Sequence, residues 1–250
     1  GRGEAEFYRP LTEHLTKILG REVKPYSADD YAGIIRAITY NQTEFAKLGP
    51  KSYVEAKMVA DVDILVSEIN RHGEAGYYGA IITGKDSGIE TMDQARGRIF
   101  AFTDPNSTSG YLIPSVVLAR DFKIEPKTYF KAIKFSGSHW ASVLAVKNGD
   151  ADLASVATNH IYRLEEAGKV SREDFRFLWK SPLIPGDSMS ARKDLPESLK
   201  KAFTDAMLSF NENKEGLRKI RLGGYQLAND KTYDIIRELK RLKREFRKKN

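Results

Sequence analysis

Ile99-Phe100-Ala101-Phe102-Thr103-Asp104-Pro105-Asn106-Ser107-Thr108-Ser109-Gly110-Tyr111-Leu112-Ile113-Pro114 decides the fold. Ile99 to Phe102 is a short apolar run of strand formers. Asp104 to Gly110 is polar and turn-forming, and apolar residues then recur at helical spacing from Tyr111 to Ala119. Strand, polar turn and helix together are how an α/β sheet presents a ligand at the carboxyl end of a strand. Ser107, Thr108 and Ser109 add hydroxyl donors to the N–H groups of the first helical turn, where the helix dipole favours negative charge. An anion such as a phosphate or phosphonate head group is the expected guest. The same residues also read as a Ser/Thr cap following an Asp-Pro-Asn turn. Taken alone, the stretch leaves both readings open.

Working outward, the pattern repeats. Ala132 to Phe135 is a predicted strand, and Ser136-Gly137-Ser138-His139 opens a helix running through Val146. Strands follow at Asp152–Val156 and Phe175–Trp179, with a helix over His160–Glu166 between them. Toward the amino end, helices are predicted over Glu6–Leu19, Tyr31–Thr39 and Tyr53–Val59. Strands are expected at Val23–Tyr26, Glu44–Leu48, Val62–Ile69 and Tyr77–Gly84. The carboxyl end reads as three helices, Glu197–Asn211, Lys214–Leu222 and Thr232–Phe246. This β-α alternation argues for an α/β protein with mainly parallel sheets flanked by helices on both faces.

Composition narrows the function. Among 250 residues, 41% are apolar and 30% charged, which is globular, and the absence of cysteine excludes disulfides and thiolate chemistry. No apolar run is long enough to cross a membrane, and no signal segment is evident. The net charge of +7 is concentrated at one end: residues 237–250 hold eight Lys/Arg against two Asp/Glu. That excess reads as a solvated basic helix end complementing the helix dipole, so no nucleic-acid partner is expected.

Four further positions carry candidate chemistry. His139 opens a helix after a strand and would stand beside the Ser107–Ser109 anion site if the two strands are neighbours; otherwise it caps or faces solvent. Asp187 ends the Pro-stiffened crossing Trp179–Asp187, where its carboxylate would attract a cationic group on a ligand or else cap Ser188 or Ser190. Tyr31 at a helix start and Tyr77 before a strand offer aromatic walls and hydroxyls, or simply pack. No Gly-x-Ser-x-Gly elbow, His-Glu-x-x-His pair or phosphate-binding P-loop spacing is present, so neither a catalytic centre, a metal site nor a cofactor is predicted.

Together these segments resemble a known family. Asp104–Tyr111, Ser138–Val146 and Trp179–Asp187, with Asp30–Ile35, Gly76-Tyr77 and Lys85-Asp86-Ser87, are similar in order and spacing to the phosphonate-binding proteins of bacterial ABC importers. The similarity extends from about Leu11 to the C-terminal helices. It implies a two-lobed type II periplasmic-binding-protein fold, with residues 1–82 and 189–250 in one lobe, 83–188 in the other, and hinge strands near 80–84 and 183–189. A ligand would close the hinge. By motif match, Ser107, Thr108, Ser109 and His139 would hold phosphonate oxygens and Tyr31 would add a donor. Tyr77 would line the site, and Asp187 would face the substituent.

The implied function is capture of a small phosphonate, phosphite or phosphate-like anion for an ABC permease in the membrane. The implied place is the periplasm, or the outside of the cell on a membrane tether. The chain departs from the pattern at three points. Asn159 stands where aminoethylphosphonate binders carry a second acidic residue. Lys47 interrupts an otherwise apolar strand, or adds charge near the ligand. The apolar first strand of lobe 1 that the family opens with is not evident. The alternatives are an engineered, truncated or degenerate scaffold without ligand, and an enzyme on the same scaffold using His139 on a phosphorylated substrate.

Overall fold

The computed structural model describes residues 2–249, with side chains from residue 4. Contacts divide the chain into two compact units. One runs to Gly76 and resumes over Pro185–Asp234; the other comprises Tyr77–Ile184 and the chain from Ile235 onward. These divisions differ from the expected ones in three ways: the first crossing falls at residue 76 rather than 82, the second at 184 rather than 188, and the last helix groups with the second unit instead of the first. Leu239 supplies one reason, because it packs on the second unit's cluster of Ile113, Val117 and Ile184. Lys243 supplies another: it lies 4.2 Å over the Tyr111 ring and donates to the Tyr111 hydroxyl at 2.9 Å.

The strands are β1 Phe45–Leu48, β2 Asp63–Asn70, β3 Gly76–Tyr77, β4 Gly79–Gly84, β5 Ile99–Phe102 and β6 Ala132–Phe135. They continue with β7 Leu153–Ala157, β8 Phe175–Lys180, β9 Ile184–Pro185, β10 Ser188–Ala191 and β11 Leu222–Leu227. The first unit holds a sheet of order β1-β10-β2-β11. All of its pairings are antiparallel, which corrects the expectation of a mainly parallel sheet. Both β1 and β2 run antiparallel to β10, so they run parallel to each other. The helix Pro50–Ala60 joins them, which is the β-α-β rhythm visible in the sequence. The returning strand β10 is inserted between them and converts what would have been a parallel ladder into two antiparallel ones.

Local chemistry accounts for the helices of this unit. Asp30 caps Tyr31–Thr39, its carboxylate accepting from Gly33 N–H at 2.7 Å. Pro50 opens Pro50–Ala60, where a missing N–H costs nothing. Gly20, with φ +64°, ends Arg9–Leu19. The core beneath the sheet gathers Leu11, Leu15, Val66, Phe203, Met207 and Phe210.

Two further expectations in this unit, one strand and one helix, are corrected. Val23–Tyr26 forms no strand; it has no ladder partner, and Val23 N–H bonds instead to the Thr16 hydroxyl at 2.9 Å. The helix expected over Lys214–Leu222 stops at Lys219, and Leu222 starts β11. The glycines there signal a break in sequence. In the fold, Gly223 lets the strand approach β2 closely, since a Cβ at that position would stand 2.2 Å from the Asn70 carbonyl oxygen.

The second unit holds a five-stranded mixed sheet, β6-β5-β7-β4-β8. The β6–β5 and β5–β7 ladders are parallel, and the β7–β4 and β4–β8 ladders are antiparallel. Alternate residues serve opposite faces. Ala101, Ala80 and Ile82 pack on one side with Val143, Val156 and Ile161. Phe100, Phe102 and Ile81 pack on the other with Leu118. Helices therefore cover both faces, and the polar residues at the strand ends are the ones left to bind. No helix among the described residues is long and apolar enough to cross a membrane.

Candidate functional site

Three parallel strands, β5, β6 and β7, each run directly into a helix, so three β-to-α junctions stand at one end of the second unit's sheet. Antiparallel β4 begins at that same end, because Gly79 pairs with Ala157. The structure thus brings Tyr77, Ser107–Ser109, His139 and Asn159 to a single sheet edge.

The first junction is the best buried. Thr103, Asp104, Ser107, Thr108 and Ser109 are all under 9% exposed. Asp104 folds the turn by accepting from Asn106 N–H at 2.7 Å, and Ser107 caps the helix by accepting from Gly110 N–H at 3.0 Å. The helix opens with one π turn, Thr108–Leu112, before continuing as α over Ile113–Arg120. A π turn widens the backbone locally and is frequent at functional sites. Gly110 is required here, because a Cβ would stand 2.3 Å from Thr103 Oγ1. Ser107 therefore does serve as the helix cap that the sequence allowed. Ser109 does not: its hydroxyl is buried and has no hydrogen-bond partner within the described residues.

The second junction is tied to the first through Thr103 and Ser155. Thr103 N–H donates to the Gly110 carbonyl at 3.0 Å, and Ser155 Oγ donates to the same oxygen at 2.7 Å. The Thr103 hydroxyl lies 3.5 Å from His139 Nδ1. His139 starts the helix His139–Asn148, which Ser138 caps by accepting from Ala141 N–H at 3.1 Å.

His139 Nδ1 accepts from Ala157 N–H at 3.0 Å. A nitrogen that accepts carries no proton, so the ring's proton is assigned to Nε2, which makes His139 a neutral donor. Its ring stacks on His160 with centroids 4.7 Å apart. At the third junction the Asn159 carbonyl oxygen is buried with no partner among the described residues. Tyr77, partly buried, packs against Ile113, Val117 and Ile184, so its ring does serve as packing.

In the first unit, Tyr31 opens its helix beside the Asp30 cap, and Asp187 immediately precedes β10. The Asp187 carboxylate accepts from Lys47 Nζ at 2.6 Å, with Glu68 Oε1 3.8 Å from the same ammonium. Tyr8 donates to Glu68 at 3.3 Å and its ring lies 5.2 Å from Lys47 Nζ. Backbone pairing locks the two acids together, since Glu68 N–H donates to the Asp187 carbonyl at 2.9 Å. Burial opposes the Lys47 charge, but Asp187 and then Glu68 outweigh it and hold its pKa well above the ordinary lysine value. Burial, reinforced by Glu68, also pushes the Tyr225 hydroxyl well up, so it stays protonated.

Sequence reasoning missed Thr103, Ser155, Glu68 and Tyr8. Ser155 had a signal, a hydroxyl inside the otherwise apolar Leu153–Ala157. The Lys47–Asp187 pair had half of one, a lysine in a strand of buried alternation. Among the described residues no group of His, Asp or Glu side chains could hold a metal ion.

Comparison with known proteins defines the class first. The chain superposes on a binding-protein component of an ABC phosphonate transporter from Pseudomonas aeruginosa with a TM-score of 0.92 and 30% identity. That match covers 98% of this chain and 83% of the other. PhnD1 from Prochlorococcus marinus, solved in complex with methylphosphonate, gives 0.85 at 20% identity over 94% and 91%, and shares the fold. The architecture is that of a type II periplasmic binding protein. The particular family follows from sequence. The model of the ABC transporter phosphonate periplasmic substrate-binding protein matches residues 4–233, and the chain belongs to that family. The phosphonates-binding periplasmic protein of Escherichia coli is 29% identical over 239 residues, 93% of this chain and 70% of its own length. The phosphate-import protein PhnD of Mycolicibacterium smegmatis is 31% identical over 208 residues, 79% of this chain and 64% of its own.

Proposed function

We propose that this chain captures a small phosphonate, or a phosphite- or phosphate-like oxyanion, and presents it to the permease of an ABC importer at the periplasmic or outer face of the membrane. One observation carries the reading: the Ser109 hydroxyl, 2% exposed, is buried without a partner among the described residues. An unmade hydrogen bond of that kind is costly unless a ligand completes it. Around it, the helix dipole and the neutral Nε2–H of His139 add donors for an anion without adding a fixed charge. Ser107, Thr108, Ser109 and His139 take the oxygens in this reading, and Asn159 and Tyr77 flank them at the same sheet edge.

The family is one of binding proteins, which sets aside an enzyme built on His139. The comparison proteins named for methylphosphonate and for phosphate support the ligand class. Calorimetry with methylphosphonate, phosphite, phosphate and sulfate tests it. Saturable binding of at least one phosphorus oxyanion, tighter than sulfate by tenfold or more, is the expected result. Heats of dilution alone for all four would remove the proposal.

A further inference from the structure

The wide first turn at the Ser107–Ser109 junction has a cause, and part of it lies on a neighbouring strand. An α-helix sends each N–H to the carbonyl four residues back. Here Leu112 N–H bonds to the Ser107 carbonyl at 3.1 Å and Ile113 N–H to that of Thr108, each five residues back. The α-helical donor to the Gly110 carbonyl would be residue 114, which is Pro114 and has no N–H. Gly110 is buried, so its carbonyl has to be satisfied from outside the helix. Thr103 N–H, just past β5, bonds to it at 3.0 Å, and Ser155 Oγ, on β7, at 2.7 Å.

Ser155 holds the hub from both of its polar ends. Its hydroxyl takes the Gly110 carbonyl, and its own carbonyl accepts from the Thr103 hydroxyl at 3.1 Å. Two residues further along β7, Ala157 N–H donates to His139 Nδ1 at 3.0 Å. One strand therefore sets the first two junctions relative to each other. The position is otherwise apolar: Leu153 and Ile81, on the same face of the sheet, pack with Phe100 and Leu118. A fully buried hydroxyl on that face is accounted for by the Gly110 carbonyl and by nothing in the packing.

We propose that Ser155 is a positioning residue of the oxyanion site: together with Pro114 it draws the Gly110 carbonyl out of the helix, and the wide turn that results sets where the adjacent Ser109 hydroxyl meets the anion. The proposal rests on the reading of this junction as an oxyanion receptor. Ser155 touches no ligand in this account; it acts through the backbone of Gly110. Pro114 withholds the competing donor, and Ser155 rewards the carbonyl for leaving the helix.

The test measures calorimetric affinities for methylphosphonate, phosphite and phosphate in the wild type, Ser155→Ala, Pro114→Ala and the double variant. Thermal melts show which proteins are folded. Ser155→Cys, whose thiol is only a weak donor, replaces Ser155→Ala if the latter does not fold. Ser155→Ala is expected to weaken the oxyanion that the wild type binds most tightly by about tenfold. Pro114→Ala gives the Gly110 carbonyl a helical donor, and with Ser155 still in place its loss is expected to be the smaller one. In the double variant the helix recaptures the carbonyl, and the combined loss is expected to exceed the product of the single losses by about threefold or more. A folded Ser155 variant that binds as the wild type does overturns the proposal. So do losses that simply multiply, because a hydroxyl that serves stability alone would not couple to Pro114. Failure of every Ser155 variant to fold overturns it in the same way. Each of these outcomes leaves the receptor function standing. A wild type that binds none of the three anions removes the receptor reading, and this proposal with it.

Discussion

The sheet edge of the second unit and the acidic pair of the first are both polar, partly buried and built from side chains distant in sequence, yet they are finished differently. The Ser107–Ser109 edge ends with a buried hydroxyl and a buried amide oxygen that no described residue satisfies. The Asp187 cluster ends with each carboxylate given a donor, Lys47 for one and Tyr8 for the other. The difference separates a surface kept ready for a guest from one that has provided its own. Fixed charge is the deciding variable. Neutral donors can wait for an anion at modest cost, whereas a half-buried carboxylate is expensive unless a cation is always present.

Three substitutions break or sharpen that contrast. The largest effect is expected for Gly110→Ala. Its methyl group would stand 2.3 Å from Thr103 Oγ1 and 2.8 Å from Ser107 Oγ, inside the hub that joins the first two junctions. Overpacking of this kind costs about 2–3 kcal/mol, read as a lowered midpoint in denaturant unfolding, and anion binding should fail with it. If the second unit keeps its stability, the hub is looser than described.

Ser109→Ala divides stability from binding. Removing an unsatisfied buried hydroxyl should leave the melting temperature of the ligand-free protein unchanged or raised. The same change should weaken oxyanion affinity by about 1.5–3 kcal/mol in calorimetry. A destabilised ligand-free protein would mean that the hydroxyl has a structural partner after all.

The smallest effect concerns another internally satisfied acid of the first unit. Burial works to raise the Asp63 pKa, but hydrogen bonds from Lys200 and Lys193, at 2.7 and 3.0 Å, hold it below the ordinary value. A depressed carboxylate contributes stability above its unfolded pKa of about 3.9, and that contribution is lost as pH falls through the lower folded value. Asp63→Asn should therefore flatten the stability profile below about pH 4, by about 1 kcal/mol for a carboxylate whose side chain is 26% exposed. Identical acid profiles for the two proteins would show that the pair contributes nothing.

What the sequence disclosed follows the same division. The second unit's edge was legible because each junction is local. Ile99–Phe102 followed by a polar turn, and Ala132–Phe135 followed by Ser136–His139, announce strand, turn and helix within a dozen residues. Only the hub was hidden, since it depends on Thr103 meeting Ser155 across neighbouring strands. The first unit was read less well. Ser188–Ala191 is a run of only four residues, and nothing local says that it separates β1 from β2. For the same reason Lys47 looked out of place. The carboxylate that makes it affordable lies 140 residues further on, and only the inserted strand brings the two together.

That inserted strand also sets a timetable. A ribosome making this chain emits β1 and β2 early, but they have no shared ladder until β10 arrives some 120 residues later. All five strands of the second unit's sheet have been synthesised by then, so that sheet is able to assemble while β1 and β2 still present bare edges. Nascent chains arrested before residue 188 should accordingly protect the backbone amides of β4 to β8 from hydrogen exchange and leave those of β1 and β2 open.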